Sequence, residues 1–171
     1  MKSSSPTCDG YFMPAEWVPH EKCWMHWPHR TDNWRGGAVP AQTAFTNVIT
    51  AISKFEPVVV ASAACCLDSA KAALSNLENV SVVEMESDDS WMRDTGPTFV
   101  VKKDCPDGDD AIRGVNWFFN SWGGLIPCFE NDNRVAETVC RLENIPSYST
   151  HEPLFVLEGG SIHVDGEGTC L

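Results

Sequence analysis

The stretch "VSVVEMESDDSWMRDTGPTFVVK", residues 80–102, places an acidic segment between two valine-rich runs. The runs at 81–86 and 98–102 are short, apolar and β-branched, which is typical of buried strands. α/β proteins place ligand-binding groups at the ends of such strands. The segment between the runs therefore predicts a site, and its polar and aromatic members are Asp88, Asp89, Trp91, Arg93 and Asp94.

Helix and strand patterns alternate on both sides of this stretch. Apolar spacing and breaker residues predict a helix at 38–55, a strand at 57–62, a helix at 67–78, a turn at 105–110, a strand running into a glycine turn at 114–124, a helix at 133–145, and two strands around a Gly-Gly break in 153–171. The helix at 67–78 is predicted to begin with Asp68 or Ser69 as its N-cap. In the helix at 133–145, one side is predicted to carry Val135, Val139 and Leu142.

The order helix, strand, acidic break, strand occurs twice, once around Asp94 and once around Glu158. Such self-similarity at long spacing favours an α/β fold built from a repeated ββαβ-type unit. Residues 1–10 are predicted to be a flexible tail, and 11–171 to be folded. The sequence stops directly after "HVDGEGTC", which would leave a strand edge uncovered, so we expect the N-terminal portion of a longer protein.

Composition limits the classes of function. The chain has 171 residues, 43% of them apolar, a formal net charge of −12 and eight cysteines. No run approaches the roughly 20 apolar residues of a membrane helix, and the N-terminus has no apolar segment of a secretory signal. We therefore expect a cytoplasmic protein with reduced thiols and no membrane partner. The acidic charge argues against nucleic acid and is compatible with a cationic small molecule, or with solubility alone.

Asp94 is a candidate ligand-binding residue. It lies in "RDTGP", where Gly96 and Pro97 predict a tight turn that holds it at a strand end. The alternative is a solvated turn in which Arg93 pairs with neighbouring aspartates. The adjacent Trp91 favours a site.

Glu158 is a second candidate. It follows an apolar run in "FVLEGGS", so its carboxylate would emerge from a buried strand and needs a cation or a donor. Gly159 and Gly160 would allow the close approach of a ligand or of another backbone segment. The alternative is a structural glutamate that bonds backbone amides.

Aromatic residues accompany both carboxylates. Trp91 lies among the aspartates, and Trp122 lies in "NSWGG", where it could line a pocket or simply pack in the core. A guanidinium group is planar and cationic, bonds carboxylates bidentately and stacks on aromatic rings. The pattern therefore indicates a guanidino ligand. The histidines at 20, 26 and 29 around Cys23 lack the spacing of a zinc motif, and no cofactor is predicted.

The blocks "GYFMPAEWVPHEKCWMHWP", "DNWR", "DSWMRDTGPTFVV", "NSWGG" and "LEGGSIHVDGEGT" together resemble agmatine deiminase (agmatine iminohydrolase), within the peptidyl-arginine deiminase and guanidino-modifying enzymes. The resemblance implies a pseudo-fivefold α/β propeller of ββαβ units, of which about the first two are present. It implies hydrolysis of agmatine to N-carbamoylputrescine and ammonia in putrescine biosynthesis, without a cofactor. It is also compatible with a homodimer in the full-length form.

By this resemblance, Asp94 and Glu158 are catalytic carboxylates. Asp94 binds the substrate, and Trp91 and Trp122 lie near it. The family's catalytic histidine and nucleophilic cysteine belong to "GHxD" and "GGxxHC" blocks that are not among these 171 residues. We therefore expect this chain alone to be inactive. Two alternatives are a truncated, non-catalytic paralogue that acts as a binding module, and a related deiminase of free or peptidyl arginine.

Overall fold

The structure is a computed structural model that describes residues 5–102, 110–152 and 154–171. Its strands are β1 (Tyr11–Phe12), β2 (Cys23–His26), β3 (Val58–Ser62), β4 (Val80–Glu84), β5 (Thr98–Lys102), β6 (Ile112–Asn116) and β7 (Ser147–Ser149). Its helices are α1 (Val39–Ile52), α2 (Leu67–Leu74), α3 (Met92–Thr95), α4 (Ser121–Gly124) and α5 (Val135–Leu142). Short 3₁₀ turns cover Ala64–Cys66, Asp132–Arg134 and Gly159–Ser161.

The chain divides into two compact units. The central unit is Pro19–Met92, and the terminal unit combines Met1–Val18 with Arg93–Leu171. In the central unit, β2, β3 and β4 form a parallel sheet in the order β2-β3-β4, and the two crossovers carry α1 and α2. Because β3 lies in the middle of this sheet, all five of its residues are buried, as expected for a parallel strand covered on both faces.

The core of the central unit forms where the helices pack on this sheet. Its buried members are Trp27, Ile49, Val58, Val60, Ala70 and Leu74. Ile49 is the one position of α1 that is fully covered, whereas Val48 beside it is exposed. The helix predicted at 38–55 is thus present as α1, with one fully buried position.

The terminal unit has a mixed sheet in the order β1-β5-β6-β7. β5 and β6 are antiparallel, β6 and β7 are parallel, and α5 lies between β6 and β7 in the chain. This is the ββαβ order predicted for the repeat, while the central unit has the order βαβαβ. Gly114 of β6 is essential to the packing of α5, because a Cβ there would lie 2.3 Å from Cys140 Sγ.

A polar network fastens the residues before β1 to this sheet. Arg113 donates to Asp110 Oδ1 at 2.7 Å and to the Tyr148 hydroxyl at 3.1 Å. Tyr148 in turn donates to Asp9 Oδ2 at 2.6 Å, and the Arg113 guanidinium lies 5.1 Å from the centre of the Tyr11 ring. The guanidinium of Arg113 holds the pKa of Asp110 at about 2. Asp9 therefore makes a specific contact with the sheet.

The α/β class is confirmed, the helices predicted at 38–55, 67–78 and 133–145 are present in that order, and β5 has the predicted bounds. The predicted N-cap is wrong: α2 begins at Leu67, because the preceding 3₁₀ turn runs directly into it and no side chain caps it. Of the three residues predicted to share one side of α5, Val135 and Val139 are buried and Leu142 is not. It lies in the last turn of α5 and is 46% exposed, whereas Ala136 and Cys140 complete the buried side.

The two strands predicted within 153–171 are reduced, in the described residues, to isolated bridges that include Phe118 with Val156 and Val164 with Cys170. Glycines interrupt the pairing: Gly166 and Gly168 have φ of +76° and +111°, which extended strands do not use. The turn predicted at 105–110 lies almost wholly outside the described residues. Among the residues described, no helix is both long enough and apolar enough to cross a membrane.

Candidate functional site

Asp94 lies in the short helix α3, where the terminal unit resumes after the central unit. Its side chain is partly buried. Burial raises the pKa of the Asp94 carboxyl, and the backbone N–H of Gly160 and the positive charge of Arg93 oppose that rise only in part. A carboxylate in this state gains stability from a further cation or donor.

The two glycines after Glu158 pack directly against this helix. A Cβ on Gly159 would lie 2.4 Å from the carbonyl oxygen of Arg93, and a Cβ on Gly160 would lie 2.5 Å from Asp94 Oδ1. Distances below 3.0 Å leave no room for a side chain. The sequence left open whether a ligand or another backbone segment needs these glycines, and in the structure Gly159 faces the backbone of Arg93 while Gly160 faces the carboxylate of Asp94.

Arg93 pairs outside the acidic stretch. Its Nη2 donates to Glu16 Oε1, which also belongs to the terminal unit. The ion pair of Arg93 is therefore with Glu16 rather than with a neighbouring aspartate.

Glu158 is partly buried and has an extended backbone, with φ −104° and ψ 142°. Its carbonyl accepts hydrogen bonds from the backbone N–H and the hydroxyl of Ser161, at 2.9 and 2.6 Å. These bonds fix the 3₁₀ turn Gly159–Ser161 against Asp94. The residues of the "RDTGP" and "EGG" motifs, 64 positions apart, thus meet in one place.

Trp122 lies in α4, which is one left-handed turn. Ser121 and Trp122 have φ of 56° and 52°, and the two glycines that follow have φ of 87° and 85°. Non-glycine residues rarely adopt this conformation, and strained backbone of this kind is concentrated at functional sites. The Asn120 side chain accepts from the Gly123 N–H at 2.8 Å, and the Trp122 ring packs edge-on against Phe119. Trp122 remains 38% exposed.

Trp91 belongs to the central unit, and its surroundings were not predicted from the sequence. Its indole Nε1 donates to Asp89 Oδ2 at 2.9 Å. Asp89 is only 1% exposed and also accepts from Trp34 Nε1 at 2.8 Å and from Asn33 Nδ2 at 2.5 Å. The sequence signal was the block "DNWR", whose polar and aromatic residues turn out to be partners of the acidic stretch.

The histidines near the N-terminus have unrelated environments. His26 is 1% exposed, and its burial lowers its pKa to about 4, so it is neutral at pH 7. His20 lies at the surface, with its Nδ1 3.2 Å from Glu56. Within the described part of the chain, no group of three or more His, Cys, Asp or Glu side chains is arranged to hold a metal ion.

Solved structures with this fold define a class of deiminases. The structure of the agmatine deiminase of Enterococcus faecalis is similar to this one with a TM-score of 0.89 and 44% identity, over 99% of this chain and 45% of that chain. A family model described as Porphyromonas-type peptidyl-arginine deiminase matches residues 12–171. The chain belongs to that family.

Two curated relatives have closely similar sequences. The agmatine deiminase of Stutzerimonas stutzeri is 51% identical over 173 residues, and that of Medicago truncatula is 50% identical over 175 residues. The alignments cover 99% and 98% of this chain but 45% and 46% of the two relatives. The chain thus spans somewhat less than half the length of the relatives that it matches.

Proposed function

We propose that this chain is the substrate-binding, N-terminal portion of an agmatine deiminase. The reaction is the hydrolysis of agmatine to N-carbamoylputrescine and ammonia, and we place the protein in the cytoplasm. The observation that carries the proposal is the contact between Asp94 and the Gly159–Gly160 pair. The carboxylate of Asp94 is partly buried there, and its pKa is raised. The names of the relatives supply the substrate.

In this proposal Asp94 binds the guanidinium by charge-assisted hydrogen bonds. Glu158, whose carbonyl accepts the hydrogen bonds of the Ser161 turn, supports the guanidinium and a catalytic histidine. Trp122 in the same unit, and Trp91 in the central unit, remain predicted substrate contacts. The nucleophilic cysteine and the histidine are proposed to lie outside these 171 residues.

Two of the described cysteines are held in the thiol form by their surroundings. Burial raises the pKa of the Cys140 thiol to about 11, and it also raises the pKa of Cys66. Since the thiolate is the nucleophile, both are poorly suited to attack the guanidinium carbon. We expect no release of ammonia when the 171-residue chain is incubated with agmatine, and turnover within about tenfold of a full-length relative would contradict this.

The experiment that tests the assignment uses a complete enzyme, made by joining residues 12–171 of this chain to the remaining part of the Enterococcus faecalis relative. Asp94→Asn should lower kcat/KM for agmatine by about a hundredfold or more, because a charge-assisted contact to the reacting group is lost. Glu78→Gln, an exposed carboxylate of the central unit, is the matched control. Near-normal turnover by Asp94→Asn would refute the role.

Glu158→Gln in the same enzyme should lower activity and shift its pH profile, because a carboxylate that helps to keep a histidine protonated is removed. The exposed Glu152→Gln is its control. An unchanged profile with full activity would make Glu158 purely structural.

The description of the family as peptidyl-arginine deiminase favours one second candidate, a deiminase of arginine residues in peptides. The complete enzyme distinguishes the two when agmatine, arginine and an arginine-containing peptide are compared by kcat/KM. A preference for the peptide would replace agmatine as the substrate and would leave the role of Asp94 unchanged.

A further inference from the structure

Asp89 holds a buried charge at the centre of an aromatic cluster. Its side chain is 1% exposed. Four neutral N–H donors converge on it: the Asn33 amide, the indoles of Trp34 and Trp91, and the backbone N–H of Ser90. Burying a carboxylate is costly, and each of these bonds to an ionised acceptor offsets part of that cost.

The two carboxylate oxygens have different partners. Oδ1 accepts from Trp34 Nε1 at 2.8 Å and from the Ser90 N–H at 2.9 Å. Oδ2 accepts from Asn33 Nδ2 at 2.5 Å and from Trp91 Nε1 at 2.9 Å. Each oxygen therefore fixes one indole, and the orientation of Trp91 depends on Oδ2.

The indoles form a short aromatic stack. The ring centroids of Trp34 and Trp91 are 5.6 Å apart with an angle of 31° between the planes, and Phe45 packs edge-on against Trp34 at 6.1 Å. Trp91 nevertheless remains 37% exposed. A ring that is fixed at its N–H by a carboxylate and supported by a second ring presents a defined surface to a ligand.

Hydrogen bonding to an anion also changes the ring itself. An indole that donates to a carboxylate is polarised, so that electron density moves from the N–H into the π system. Cations bind aromatic faces through that density, and tryptophan binds them best. A carboxylate at the indole N–H should therefore strengthen cation binding without contacting the cation.

We propose that Asp89 is a positioning residue that orients and polarises Trp91 to receive the cationic group of a guanidino ligand. Only the identity of the natural ligand, agmatine, rests on the proposed function. The orientation of Trp91 and its affinity for cations are properties of this chain and can be measured without turnover.

The variant Asp89→Asn distinguishes the roles of the two carboxylate oxygens. A carboxamide has one acceptor oxygen, which can replace Oδ1 and keep the bonds to Trp34 and to the Ser90 N–H. Its NH₂ group then occupies the place of Oδ2 and faces the N–H of Trp91. The Asn33 amide can turn its oxygen to accept from that NH₂, but the indole N–H of Trp91 has no such option. The variant should thus release Trp91 selectively.

The test is NMR of the indole N–H signals of the 171-residue chain, assigned with Trp91→Phe and Trp34→Phe. In the wild type, the signals of Trp34 and Trp91 should lie downfield because of the bonds to the carboxylate. Butylguanidinium should shift the Trp91 signal, whereas butylurea, its neutral counterpart of similar shape, should not. In Asp89→Asn the Trp91 signal should move upfield, and the affinity for butylguanidinium should fall at least about fivefold.

A double-mutant cycle distinguishes positioning from a general loss of structure. Once Trp91 has been replaced by Phe, Asp89→Asn should have little further effect on affinity. Asn33→Ala removes a second donor to Oδ2, so it should leave the Trp91 signal downfield and the affinity intact. Glu78→Gln controls for the loss of one negative charge.

The outcomes are decisive whether or not the complete enzyme hydrolyses agmatine. Equal shifts with butylguanidinium and butylurea, additive effects of Asp89→Asn and Trp91→Phe, or an upfield Trp91 signal in the wild type would each overturn the inference. If Asp89→Asn does not fold, the wild-type signals, the two ligands and Asn33→Ala still decide it. Failure of the proposed function would appear only in the turnover assay.

Discussion

The buried His26 should make the protein sensitive to mild acid. His26 is the last residue of β2, pairs with Ala61 of β3 in the parallel sheet, and is 1% exposed. Burial disfavours its charged form, and the neighbouring His29 adds to this effect, whereas the backbone and charge of Asp89 oppose it in part. The net result is a pKa of about 4 in the folded protein.

The size and sign of the effect follow from the two pKa values. A fall from 6.5 in the unfolded chain to about 4 in the folded protein corresponds to about 3 kcal/mol. Between these values the unfolded chain binds more protons than the folded one, so the free energy of unfolding rises with pH. The contribution is fully present above pH 6.5 and is lost as the pH falls towards 4. At pH 5, about 2 kcal/mol should already be lost.

The assay is urea unfolding of the 171-residue chain at several pH values between 7.5 and 5, for the wild type and for His26→Gln. Because other groups also titrate, the relevant quantity is the difference between the two free-energy profiles. That difference should shrink by about 2 kcal/mol over this range. The exposed His20→Gln should parallel the wild type. A difference between the wild type and His26→Gln that is independent of pH would refute the reasoning.

Three further substitutions test the packing of the terminal unit. Gly160→Ala should displace Asp94, since the new Cβ would lie 2.5 Å from Oδ1. Agmatine turnover by the complete enzyme should then fall at least about tenfold. Full activity would show that the contact is not needed. Val139→Ala, in a fully buried position of α5, should lower the free energy of unfolding by about 2–3 kcal/mol, whereas Leu142→Ala, 46% exposed, should cost less than about 1 kcal/mol. Equal costs in urea unfolding would contradict the assignment of the buried side.

The elements were predictable from the sequence where a local pattern determines them. β5 and α1 have strong apolar periodicity, and the structure has them at or within a few residues of the predicted bounds. The end of the chain was less predictable, because the residues of 153–171 look apolar and strand-like while their glycines prevent regular pairing. The exposure of Leu142 depends on where α5 ends relative to the sheet, and no local pattern contains that information.

The candidate site was predictable in its parts but not in its assembly. The motifs at Asp94 and Glu158 were each visible as carboxylates beside glycines. That Gly159 and Gly160 serve the backbone of Arg93 and the carboxylate of Asp94 is a tertiary contact, which only the structure reveals. The hydrogen bond between Asp89 and Trp34 was missed for the same reason, since 55 residues separate them.

The acidic stretch contains two carboxylates with opposite roles. The carboxylate of Asp89 accepts hydrogen bonds from neutral donors inside the central unit, and these bonds offset the free-energy cost of its burial. A ligand could bind Asp89 only by breaking them. Asp94 has the N–H of Gly160 and the charge of Arg93 nearby, yet its pKa stays above the ordinary value. Binding a cation therefore stabilises such a carboxylate more than it stabilises one whose oxygens already accept several hydrogen bonds. The same physical argument therefore favours both proposed roles, Asp89 as the support of Trp91 and Asp94 as the residue that binds a guanidinium.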